Sequence, residues 1–239
     1  MSDFQFPVTR EGAVVRIDLG RPDEGNALTR GMMTQLSAVL REAGRDESVS
    51  VVVLAARGQH FCRGRDGKGE SKAGMTPWEV RTKLMGATLD IFQAIADVPV
   101  PVVARVQGNA FGFGAGLAVA CDVTLASDAS RFAFPEIEHD IPPTMAICAT
   151  RGKVHPKAMS YLVYSAEQID AREAVTFGLV SRLFPQASFE ADADAFISKL
   201  ASRPRLIVET IKRYQSKVGQ LSPDMASEYA GTLLALVRP

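Results

Sequence analysis

Short apolar runs rich in β-branched residues alternate along the chain with longer stretches whose apolar positions recur at helical spacing. Residues 13–19 (AVVRIDL) alternate loosely and read as a strand, and residues 49–55 and 98–106 are almost continuously apolar, as in strands buried on both faces. Between them, Ala27 to Ala43 places Met32, Leu36, Val39, Leu40 and Ala43 at helical intervals, and Gly44 ends the helix. Thr76-Pro77-Trp78-Glu79 is a capping box with proline at the first helical position, predicting a helix to about Ala96. Short strands are expected at 123–127 and 179–184, and residues 132–137 are apolar except for Glu136, with a loop over 138–143. Helices are expected around 145–151 and 156–164, and a further one starts at Asp170-Ala171-Arg172-Glu173 and closes at Gly178. From Ser188 onward only helices are predicted, over 188–202, 204–217 and 223–237, with Pro204 and Pro223 at first helical positions and Ser222 as a cap. The pattern is that of an α/β core over residues 1–187 with a helical C-terminal region over 188–239.

Two glycine-rich stretches interrupt this pattern. After the 98–106 strand come Gly108, Gly112, Gly114 and Gly116, then the apolar run 117–121. A strand, a glycine turn and a helix together aim backbone N–H groups at open space, where they suit a negative oxygen. A dinucleotide pyrophosphate is disfavoured, because the fingerprint G-x-G-x-x-G needs a third glycine where Leu117 stands. The second stretch, Arg57 to Glu70, holds four glycines among Arg57, His60, Arg63, Arg65 and Lys68. It reads equally as a loop holding a phosphate-bearing ligand or as a solvated surface loop.

Composition narrows the classes. The 239 residues carry a formal net charge of +0, so nothing basic points to nucleic acid as a partner. No basic segment followed by an apolar core opens the chain at Met1-Ser2-Asp3-Phe4, and no apolar stretch reaches membrane-spanning length, so neither secretion nor a membrane partner is expected. The three cysteines, Cys62, Cys121 and Cys148, are odd in number and widely spaced, which argues against a disulfide framework or a zinc site and for a reducing, cytoplasmic setting.

Five motifs in order resemble the crotonase (enoyl-CoA hydratase/isomerase) family across nearly the whole chain: Ile17 to Pro22 with Asn26-Ala27-Leu28, Gly58 to Asp66, Val106 to Gly114 with Cys121-Asp122, Phe134-Pro135-Glu136-Ile137, and Ala171 to Val180. The resemblance implies a spiral of ββα units, a homotrimer or dimer of trimers, and an acyl-coenzyme A thioester as substrate, with no cofactor beyond the coenzyme A that the substrate carries. It maps the family's two oxyanion-hole amides onto Arg65 and Phe113 and one of its two acid/base glutamates onto Glu136. It maps the coenzyme A contacts onto Glu24, Gly25, Ala27, Arg63, Arg65, Asp66, Gly67, Gly112 and Thr144, with the Arg63 and Arg65 side chains exposed beside the nucleotide phosphates. Removing a thioester α-proton, or adding a nucleophile at the β-carbon, loads negative charge on the thioester oxygen, and two aimed N–H groups stabilise that charge.

The departures shape the expected activity. The family's other glutamate falls on Gly116, which has no proton to exchange, and Thr144 stands where hydratases often have glycine. Against the resemblance, the family's usual final stretch is expected to be missing after the last helix. Glu138, His139 and Asp140 stand where the family is usually apolar or glycine. A satisfied or solvent-facing loop is the favoured reading, and polar groups added near the site the other. His60 and His155 are expected in structural roles. One glutamate favours double-bond isomerisation through an enolate. A hydratase of altered geometry, or a decarboxylase or carbon–carbon bond enzyme of the same family, remains the alternative, and a non-catalytic binding protein is less favoured.

Overall fold

The computed structural model describes residues 4–237, so Met1 to Asp3 of the N-terminal stretch lie outside the described residues. Its centre is a six-stranded sheet in the order β1-β2-β3-β5-β7-β10, made of β1 (Val8–Glu11), β2 (Val14–Asp18), β3 (Val51–Ala55), β5 (Val102–Val106), β7 (Val123–Ser127) and β10 (Arg182–Phe184). Only the β1–β2 pair is antiparallel. A second, four-stranded sheet has the order β4-β6-β8-β9, from β4 (His60–Cys62), β6 (Asn109–Phe111), β8 (Arg131–Ala133) and β9 (Ile169–Asp170).

The two sheets are products of one repeated unit. Strands β3, β5 and β7 enter the large sheet, and the chain then steps through a short turn into β4, β6 and β8 of the small one. The result is a spiral of ββ units with helices filling the returns. The short second strands were not legible in the sequence: three residues give no period to read. Both glycine stretches therefore contain a strand, β4 inside 57–70 and β6 between Gly108 and Gly112.

The core follows the strand alternation. Val52 and Leu54 of β3 join the main cluster with α1 (Arg30–Arg45), α3 (Gly86–Asp97) and α4 (Phe113–Ala120), whereas Val51, Val53 and Ala55 face Phe189, Ala193 and Ile197 of α8 (Phe189–Ala201). Helix α8 therefore covers the second face of the large sheet, as one layer of the same core. Helix α9 (Arg205–Val218) is fastened by Val208 and by buried Lys212, whose Nζ donates to the Ile95 and Val100 carbonyls and lies 2.7 Å from Asp122. Helix α10 (Pro223–Val237) packs on α9, and the Ser222 hydroxyl accepts from Met225 N at its start.

Four expectations needed correcting. Helix α1 begins at Arg30 behind the Thr29 cap, not at Ala27, because Leu28 is held in a parallel bridge to Arg65. The helix expected over 77–96 starts with the foreseen capping box but is one short turn, α2 (Pro77–Glu79), followed by a π-helical segment (Val80–Leu84) and a fresh start at Gly86. The strand expected over 98–106 begins only at Val102, after Pro99 and Pro101, which lack ladder donors. Strand β10 is likewise shorter than 179–184, since Leu179 and Val180 belong to the turn that closes α7 (Ala171–Phe177) at Gly178. The remaining helices, α5 (Thr144–Thr150) and α6 (Pro156–Ser165), lie within a residue of the expected spans.

Candidate active site

The site is built where the small sheet ends. Strand β4 leads into the loop 63–70, and Arg65 forms its bridge to Leu28 through the flanking residues: Leu28 N donates to Gly64 O (3.1 Å) and Asp66 N to Leu28 O (2.9 Å). In a parallel bridge the central residue's own N–H points away from the partner strand, so the Arg65 amide faces the other way. On that side Gly64 lies against the carbonyl of Phe111. Strand β6 then turns through Gly112, whose φ of 51° and ψ of −121° belong to glycine, into α4. Phe113 is the first residue of α4, so its N–H has no acceptor within the helix. Arg65 and Phe113 both line one cavity.

Glu136 stands in the same wall. Strand β8 holds Gly112 N on the Ala133 carbonyl (2.9 Å), and the chain turns at once into the 3-10 segment Pro135–His139. This puts the Glu136 carboxylate on Gly112: a methyl built there would lie 3.1 Å from Glu136 Oε1. Its Oε2 is buried without a hydrogen-bond partner. Desolvation raises the carboxyl above its ordinary value, and the protein's compensating interactions, a backbone hydrogen bond and the nearby His139, are smaller. An unpaired carboxylate whose charged form is disfavoured is a competent proton acceptor near neutral pH.

The cavity is about 400 Å³, and its wall also includes Thr88, Phe92, Ile141, Met145 and Ala146. Phe92 stacks obliquely on Phe113 at 5.8 Å. Gly116 is one turn into α4, and a methyl there would make ordinary contacts with Ala149 (3.5 Å), Phe92 (3.6 Å) and Ala146 (3.9 Å). Phe92 and Ala146, which line the cavity, are thus the neighbours of position 116. Cys62 cannot act as a nucleophile at the loop, since complete burial pushes its thiol up to about 12.

Both loop arginines line the cavity but differ in exposure. Arg63 is exposed, and its side chain lies across Gly25. Arg65 is not exposed as expected: it folds back onto Glu70 (2.6 Å), with side-chain exposures of 20% and 19% for the pair. Glu70, which the sequence did not single out, lines the cavity, and so does His139, although it is exposed. Glu70 carried no signal, because it sits in a stretch whose polar composition reads as loop, whereas His139 belongs to the 138–140 run that departs from the family pattern.

Of the other expected contacts, Gly67 and Gly112 line the cavity, whereas Glu24, Gly25, Ala27 and Asp66 form the clasp behind the loop. Arg21 donates to the Ala27 carbonyl (2.8 Å) and pairs with Asp66 (3.4 Å) and Glu24 (3.6 Å). Thr144 is not brought in: it is exposed at the start of α5 and lines a separate depression with Cys148 and Arg151. The residue that binds the clasp together is Asn26, fully buried at φ 56°, whose amide donates to the carbonyls of Arg57 (2.9 Å) and His60 (2.7 Å) and accepts from Arg21 N (2.9 Å). Asn26→Ala strips partners from these groups at a left-handed position asparagine tolerates and alanine does not, so it should cost about 2–4 kcal/mol in a urea titration.

Comparison with known proteins decides the family. The sequence profile of the enoyl-CoA hydratase/isomerase family matches residues 9–227. The chain belongs to this family. Among its relatives are the 2,3-dehydroadipyl-CoA hydratase of Escherichia coli K12, 33% identical over 92% of this chain and 86% of that protein, and enoyl-CoA hydratase domain-containing protein 3 of Rattus norvegicus, mitochondrial by its name, 29% identical over 95% and 75%. A crystal structure of an enoyl-CoA hydratase from Mycobacterium smegmatis superposes with a TM-score of 0.90 at 31% identity, covering 97% of this chain and 90% of that one. The spiral of ββ units described above is thus the crotonase fold. Among the described residues no helix is long and apolar enough to cross a membrane.

Proposed function

We propose that the cavity receives the acyl end of a coenzyme A thioester and that Glu136 moves a proton on an enolate held by the amides of Arg65 and Phe113. The observation that carries this reading is the unpartnered, buried Oε2 of Glu136 in the wall that also holds both amides. In a 3-enoyl thioester, Glu136 takes the proton from C2. The electron pair moves onto the thioester oxygen, where the two amides meet the charge. The same carboxyl returns the proton at C4, and the double bond ends between C2 and C3. No water is consumed. Arg63, exposed beside the Gly25 turn, faces the phosphates of the coenzyme A in this reading.

One carboxylate suffices for that shuttle, whereas hydration needs a water that is both activated and aligned. The cavity's other carboxylate, Glu70, is engaged with Arg65, and position 116 offers only hydrogen. We therefore expect kcat/KM for isomerisation of a 3-enoyl-CoA to exceed that for hydration of the 2-enoyl-CoA of equal length. Gly116→Glu should raise hydration relative to isomerisation; space for its Cβ exists beside Phe92 and Ala146, which line the cavity. Hydration by the unmodified protein near the diffusional ceiling of ~10⁸ M⁻¹s⁻¹ would instead support the second reading, a hydratase, which the names of the E. coli and M. smegmatis relatives favour.

The quaternary reading is a homotrimer or dimer of trimers. An apolar groove of about 510 Å³ runs between α9 and α10, and Leu206, Ile211, Leu234 and Leu236 are more than half exposed along these helices. Static light scattering reporting a monomer at micromolar concentration would refute it.

A further inference from the structure

We propose that His139 is a proton relay at the mouth of the cavity: it passes the proton that Glu136 takes from the substrate out to water and returns a solvent proton in its place. The inference rests on the reading that Glu136 moves a proton on a thioester enolate, and it adds where that proton goes.

Glu136 and His139 are the second and last residues of the 3-10 segment Pro135–His139. At three residues per turn, side chains three positions apart eclipse, and a rise of about 2.0 Å per residue separates them by about 6 Å along the axis. A carboxylate and an imidazole on such neighbours are within reach of each other directly or through one water. The segment is closed behind them: Ile141 N donates to the Glu136 carbonyl (3.0 Å) and Asp140 N to the Ile137 carbonyl (3.2 Å), with Asp140 left-handed at φ 56°. Both residues line the cavity. The charge of His139 is felt at Glu136, where it opposes the upward shift that burial imposes.

The two differ in exposure. Oε2 of Glu136 is buried, whereas His139 is exposed. A residue that is at once in the cavity wall and open to solvent stands at the mouth. Imidazole suits a relay there, since it takes a proton at one ring nitrogen and releases one from the other near neutral pH. The other charged residues of the wall cannot take this part: Arg63 and Arg65 keep their protons, and Glu70 is held by Arg65 at 2.6 Å. Glu138 and Asp140 beside His139, and His155 and Lys157 at the start of α6, which packs on the segment, are exposed but outside the wall.

The steps balance. Glu136 takes the C2 proton and gives it to one ring nitrogen of His139, while the other ring nitrogen releases its own proton to water. The reverse passage recharges Glu136 from water before it protonates C4. One substrate hydrogen has been exchanged for one solvent hydrogen, and the product is otherwise the same. Without the relay, Glu136 returns the hydrogen it took.

The test is isomerisation of a 3-enoyl-CoA by the full-length protein in heavy water, with deuterium at C4 of the 2-enoyl product read by NMR early in the reaction. The unmodified protein should place deuterium on most product molecules. His139→Ala should instead return mostly the substrate's own hydrogen, and added imidazole should restore the deuterium, which a merely structural role of His139 would not allow. His139→Gln also lacks a relay and should give the same loss if the alanine variant fails to fold. Product free of deuterium from the unmodified protein, unchanged labelling in the variants, or a loss that imidazole does not reverse overturns the inference. Each of these sinks the relay alone, because turnover still occurs, whereas no isomerisation of any 3-enoyl-CoA sinks the enolate reading with it.

Discussion

Glu136→Gln should lower kcat by roughly 10²–10⁴-fold, the range expected when one positioned acid/base group is removed, while leaving the affinity for an unreactive thioether analogue nearly intact. Glutamine keeps the volume and the contact with Gly112 but cannot accept a proton, so the loss should fall on kcat rather than on binding. A pH profile separates this role from a structural one. Because burial raises the carboxyl above its ordinary 4.5, the acid limb of kcat/KM should lie above the usual carboxylate range, with activity falling as pH drops through it and the group becomes protonated. Stability should move the other way. A carboxyl whose pKa is raised in the folded state holds its proton longer there than in the unfolded chain, so its ionisation destabilises the fold as pH rises. Glu136→Gln should therefore melt higher than the unmodified protein at pH 7, with the difference vanishing below pH 4. Turnover near the unmodified rate, or an acid limb that survives the substitution, would remove Glu136 from the mechanism.

The sequence showed the parts of this site that depend on backbone path and hid those that depend on where side chains end. The glycine spacing after β5 and the Pro-Glu step after the β8 run mark where N–H groups and a carboxylate must stand, and the motifs that resemble the family rest on those positions. Arg65 and Glu70 are five residues apart in a loop without periodicity, so no pattern foretold that one would pin the other inside the cavity. The same blindness explains β4, β6 and the π segment: each is shorter than the window over which hydrophobic alternation can be read. Thr144 illustrates the opposite error. It was placed by motif position, yet at the first turn of α5 it is the next residues, Met145 and Ala146, that line the cavity, while Thr144 lines another depression.

The second large effect is expected at Gly114, one of the four glycines of the 108–116 turn. Its φ is not in the left-handed region, so alanine would fit its backbone and would even favour the helix. Space is what forbids it. A methyl at Gly114 would stand 2.1 Å from the Cys62 carbonyl oxygen and 2.7 Å from its carbon, both backbone atoms at the end of β4. Neither side can yield by rotating a side chain, so the first turn of α4 must lift from β4 by about 1 Å. Overpacking of this kind typically costs 1–3 kcal/mol. The functional loss should be larger, because the displaced turn carries the Phe113 amide and the strand it leaves carries the loop of the Arg65 amide. A misplacement of about 1 Å can cost 10²-fold in rate, and loss of one oxyanion donor 10²–10³-fold. Gly114→Ala should thus retain a folded, cooperative urea transition while kcat falls by at least 10²-fold. Glu136→Gln,Gly114→Ala should lose less than the product of the two single losses, since both act on one enolate. A Gly114→Ala protein with unaltered turnover would show that the close approach of α4 to β4 does not set the spacing of the two amides.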